Sequence, residues 1–63
     1  MTKIEQHNII EQIREYEHKM RGRDKDEFDM MRKRDRDDED LDENTRKRLL
    51  ALYVQYVPER FRL

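Results

Sequence analysis

The sequence predicts an all-α protein, a small helical hairpin or three-helix bundle that self-associates. Three observations carry this. Apolar residues recur at helical spacing near the N-terminus, where Ile9, Ile13, Tyr16 and Met20 share one side and Ile10 widens it. The segment Leu49–Val57 is apolar except for Gln55 and covers nearly the whole circumference of a helix, whereas a surface helix needs only one stripe. Between the two lies a charge-rich middle containing no cysteine and little apolar material.

The first helix is expected over residues 2–21. Thr2 followed by Glu5 forms a capping box, in which hydroxyl and carboxylate satisfy free amides of the first turn. Glu15 with Lys19, and Glu17 with Arg21, stand at i,i+4 with the acid first. Gly22, the only glycine, is placed to close this helix in a left-handed conformation. Ile4 points away from the stripe.

A short charged helix is expected over about 24–36, opening at Asp24 with Glu27 as cap partner. Phe28 and Met31 share its apolar face, Met30 lies to one side, and Asp29 and Lys33 form an i,i+4 pair. Continuing this seam as one long helix would put Asp35, Asp38 and Asp42 on the core line, at a cost of several kcal/mol each. The helix therefore either breaks there or projects into solvent, and an acidic linker is expected over 37–43. The third helix, about 43–57, is capped by Asp40 or Asp42, supported by Asp42–Arg46 and Glu43–Lys47, and stopped before Pro58. Phe61 and Leu63 of the tail, 58–63, are placed to fold back on the core. A competing reading makes Tyr53–Val57 a strand, since these are good strand residues, but a lone strand would need another chain.

Several activities find no support. Neither serine nor cysteine is present, Thr2 and Thr45 sit at helix ends, and one glycine cannot make a phosphate-binding loop. A 63-residue chain has little material for a water-excluding pocket. No enzymatic activity, cofactor, metal or small-molecule substrate is therefore expected. Glu15 and His18 have di-iron half-site spacing but lie opposite the apolar stripe. His7 is about 16 Å further along the axis. The run from Asp35 has Asp40 and Arg46 where a calcium loop needs glycine and glutamate.

The chain has 15 basic and 16 acidic residues, so no field of one sign dominates. The apolar run is far shorter than the roughly 20 residues that cross a bilayer, so no membrane association is expected. The absence of cysteine suits a cytoplasmic location. The initial Met1 fits a whole small protein or an N-terminal domain. Functionally, the expectation is a protein-interaction module, a regulator, inhibitor or adaptor. It would present Leu49, Leu52, Tyr53, Tyr56, Val57 and Phe61 to a partner protein or a second copy. The alternative is a nucleic-acid-binding regulator that contacts phosphate through Arg32, Lys33, Arg34 and Arg46, Lys47, Arg48, although nearby acids compensate these triplets.

Overall fold

The computed structural model describes residues 1–62 and contains three α-helices, each in contact with the other two. These are α1 (Lys3–Arg14), α2 (Gly22–Arg36) and α3 (Glu43–Tyr56), with 3-10 turns at Glu17–Lys19 and Glu59–Phe61. No strand occurs among the described residues, so the strand reading of Tyr53–Val57 is replaced by helix. The radius of gyration is 10.7 Å. A fully compact chain of this length would have about 10.6 Å, so the described residues pack compactly.

α1 begins as the residues dictate. Thr2 Oγ1 accepts from the Glu5 amide at 3.1 Å, and Glu5 Oε1 accepts from the Thr2 amide at 3.3 Å. It stops at Arg14, seven residues before the expected end at 21. The amides of Glu15 and Tyr16 turn to i−3 carbonyls, a 3-10 turn follows, and Met20 becomes extended. Tertiary anchoring outweighs the local pattern here. Glu17 accepts from Arg32 Nη1 at 2.8 and 3.0 Å and from Lys25 Nζ at 2.8 Å, which holds the turn against α2. The turn folds Met20 into the core, where it is 5% exposed. The pairs Glu15–Lys19 and Glu17–Arg21, which need a continuous helix, do not form among the described residues.

Gly22 adopts φ +56, as a glycine is suited to do, but it opens α2 rather than closing α1. Arg21 occupies the N-cap without a side-chain cap bond, so Asp24 and Glu27 do not cap this helix either. Both reach across to α3. Asp29 pairs with Lys25 at 2.7 Å in place of Lys33.

The break between α2 and α3 occurs where the aspartates demanded it. Asp38 takes φ +61, the Asp38 amide donates to Asp35 O at 3.0 Å, and the Glu39 amide donates to Arg34 O at 2.9 Å. This is a Schellman closure with aspartate in the position glycine usually fills. Lys3 fastens it, donating to Asp38 O at 2.8 Å. Asp42 then caps α3, accepting from the Thr45 amide at 2.7 Å.

The core comprises Ile10, Ile13, Met20, Phe28, Met31, Leu41, Leu49, Leu52, Tyr53 and Val57, with Ile9, Tyr16 and Tyr56 packed at its margin. Leu41, inside the acidic linker, is 1% exposed. Gln6 is the one buried polar side chain among the described residues, and it is satisfied: it donates to Asp35 and accepts from the Leu41 amide at 3.5 Å. A buried amide without partners would cost about 1–3 kcal/mol, so Gln6 links α1, α2 and the linker at no such penalty.

Candidate interaction surface

α3 has an inner and an outer side, and the sequence-predicted binding residues fall mostly on the inner one. Leu49, Leu52, Tyr53 and Val57 are buried in the chain's own core. The Tyr53 hydroxyl donates to Gln12 Oε1 at 2.6 Å, and Gln12 Nε2 donates to Phe61 O at 2.6 Å, tying α1, α3 and the tail together. Tyr56 is half-buried and donates to Asp24 Oδ2 at 2.6 Å. These five side chains are therefore engaged within the chain and do not form a free face. This side of the apolar run finds its cover within one chain. α1 flanks α3 on one side, α2 on the other, and the connections add Met20 and Leu41.

Of the six, only Phe61 is openly exposed, beside Gln12, Glu15, Tyr16 and Val57. Leu63 lies outside the described residues. Arg62 folds the tail back, donating from Nη2 to Val54 O at 2.9 Å and from Nε to Val57 O at 3.0 Å. These bonds satisfy carbonyls at the end of α3, where cations are also favoured by the helix dipole.

The outer side of α3 carries Leu50, Ala51, Val54, Gln55 and Pro58, all exposed. Leu50 and Val54 stand one turn apart and are 41% and 58% exposed. No charged residue occurs from Leu49 to Pro58, in a chain that is 49% charged. The outer sides of α1 and α2 differ sharply: α1 exposes Lys3, Glu5, Glu11 and Arg14, and α2 exposes Arg23, Asp26, Asp29, Lys33 and Arg36. The other exposed apolar side chains, Met1, Ile4 and Met30, are scattered among such charges.

The basic triplets do not converge. Arg32 is spent on Glu17, and Arg48 is clamped between Glu27 at 2.6 Å and Asp24 at 2.5 Å. Lys47 pairs with Glu43 at 3.8 Å. The Arg46 Nε is buried and has no hydrogen-bond partner among the described residues. Its charge, with that of Arg34, adds to the Thr45 hydrogen bonds that hold the Asp42 carboxyl below its ordinary value. Lys33, Arg34 and Arg36 make no ion pair among the described residues. Lys33 and Arg36 line a groove of about 350 Å³ between α1 and α2, together with Arg14 and Arg32, but Glu11, Asp29 and Asp35 line it too.

In the same groove His7 makes a 2.6 Å hydrogen bond to Asp35 through Nδ1, while Nε2 faces Glu11 at 3.8 Å. The Asp35 hydrogen bond, then its charge, raises the His7 pKa above 6.5, with a smaller contribution from Glu11. A raised pKa makes this contact stabilising below 6.5 and lost as pH rises through the folded-state value. The two carboxylates sit on opposite ring nitrogens and cannot converge with the ring on one ion. No group of three or more metal-ligating side chains is arranged to hold a metal among the described residues, and none of their helices is long and apolar enough to cross a membrane.

Because the apolar run covers nearly the whole circumference of α3, its pattern does not separate the outer strip from the inner side. The signal that finds it is the combination of the uncharged run with the order of packing, which assigns the Leu49/Leu52/Tyr53 side to the interior. Comparison with protein-family models, with curated proteins and with solved structures finds no match, so the surface is read from its geometry alone.

Proposed function

We propose that the protein is a small interaction module, a regulator or adaptor without catalytic chemistry, that binds another protein surface through the outer strip of α3. The observation that carries this reading is the uncharged, exposed strip of Leu50, Ala51 and Val54, whereas the exposed Met1, Ile4 and Met30 stand singly among charged residues. Interface centres are depleted in charge, and contiguous exposed apolar surface marks association sites. Phe61 extends the apolar surface at the tail. Phosphate binding through the triplets draws less support, because Arg32, Lys47 and Arg48 already hold carboxylates.

The test places a photo-crosslinking amino acid at Val54, with Asp29 as an exposed control on α2, in cells that produce the protein. Crosslinked species are expected from position 54 and not from position 29. They should disappear when Leu50→Asp is added, while the circular dichroism spectrum stays unchanged. Equal crosslinking from both positions, or none from 54, would remove the basis for this reading.

A further inference from the structure

Resting on that reading, we infer that the occupant of the outer α3 strip is a second copy of this chain, docked antiparallel so that Leu50 of each subunit packs against Val54 of the other. The chain supplies the required chemistry itself. An uncharged strip offers no cation or anion for a charged partner to pair with, so its complement is another uncharged apolar face. A symmetric dimer presents the same patch from both sides.

Charge at the two ends of α3 selects the orientation. From Glu39 to Lys47 carboxylates outnumber cations, with Asp40, Asp42 and Glu43 at the start of the helix. From Pro58 to Arg62 cations outnumber carboxylates, with Arg60 and Arg62 against Glu59. Parallel docking would set acid against acid and arginine against arginine. Antiparallel docking brings the acidic start of α3 to the arginine-bearing tail of its partner and opposes the helix dipoles favourably. A two-fold axis at residue 52 satisfies both conditions together. Leu50 then meets Val54 of the partner subunit, and Glu43, about 13.5 Å from the axis along α3, lies toward the end where the partner's tail carries Arg60. Glu43 is highly exposed, and Arg60 has no carboxylate partner among the described residues, its guanidinium lying 4.9 Å from the Phe61 ring. Glu43 meets Lys47 only at 3.8 Å and in solvent, a contact it can exchange for the partner's Arg60.

A single helix face is a small interface, so the dimer is weak, with a Kd on the order of 10⁻⁵ M. Sedimentation of the full chain from about 5 to about 500 μM should show a shift from monomer to dimer across that range. Val54→Asp should raise the Kd at least about tenfold while retaining the wild-type helical spectrum. Glu43→Arg should weaken the dimer by placing arginine against arginine, and adding Arg60→Glu should restore it. Rescue by the double reversal is specific to the antiparallel register. A wild type that is monomeric throughout the range would overturn the inference, as would a dimer indifferent to Val54→Asp or not rescued by the double reversal. Crosslinks from position 54 to a different protein alone would also overturn it and leave the interaction module standing. No crosslink at all would end both.

Discussion

Phe28→Ala is expected to abolish cooperative folding. Phe28 is the largest of the fully buried side chains and has 0% exposure, with Ile10, Ile13, Met31, Leu49 and Leu52 in the same cluster. Truncating a buried phenylalanine costs about 3–5 kcal/mol through lost transfer energy and the cavity left behind. The whole stability of a chain this size is about 3–9 kcal/mol. A thermal melt followed by circular dichroism should lose its cooperative transition. Met30→Ala, two residues away and exposed, should stay within about 0.5 kcal/mol of wild type. A Phe28→Ala melt close to wild type would contradict its place in the core.

The next largest effect is expected from Arg48→Ala. Its guanidinium joins two carboxylates of α2 to α3, and Asp24 in turn holds the Tyr56 hydroxyl and, at 3.4 Å, Gln55. Removing the cation leaves Asp24 and Glu27 facing each other at the helix junction. Arg23, bonded to Glu27 at 2.6 Å, is too exposed to replace it. Lys47→Ala, which removes only an exposed pair, should be nearly silent. The acid dependence follows from the carboxyl groups. The Tyr56 hydrogen bond, followed by the Arg48 charge, lowers the Asp24 pKa below 3.8, and the Arg48 hydrogen bond lowers the Glu27 pKa below 4.5. Groups lowered on folding contribute stability that is fully present above those values and is lost as pH falls through the folded-state ones. The wild-type melting temperature should therefore fall steeply once pH drops below about 4. Arg48→Ala should melt lower at neutral pH and show a flatter acid limb. Parallel acid limbs would show that the clamp does not operate.

How far the sequence spoke for itself differs by element. The Thr2/Glu5 box, the Asp42 cap, the break after Arg36 and the stop before Pro58 are local devices, satisfied within a few residues, and each is present. The Phe28/Met31 face was legible for the same reason. Long-range partners were not. The early end of α1 depends on Glu17 meeting Arg32 and Lys25, and the role of Asp24 and Glu27 depends on Arg48, 24 and 21 residues away. Leu41 stands among acids in the sequence, yet it is buried in the core cluster with its amide bonded to Gln6, 35 residues away. The candidate surface was half legible. Its location on the third helix came from the apolar run, but which side faces outward required knowing that α1 and α2 enclose the Leu49/Leu52/Tyr53 side.

The central claim is that α3 buries one side within its own chain and keeps the other bare for a second copy. Methyl NMR with a soluble paramagnetic probe tests it most directly, because one spectrum reports every leucine and valine methyl. At about 5 μM, where a dimer with a Kd on the order of 10⁻⁵ M is mostly dissociated, the account predicts strong broadening of Leu50 and Val54 and protection of Leu49, Leu52 and Val57. At about 500 μM Leu50 and Val54 should become protected as well. Broadening of Leu49 and Leu52 at either concentration, or Leu50 and Val54 signals that never gain protection, would contradict it.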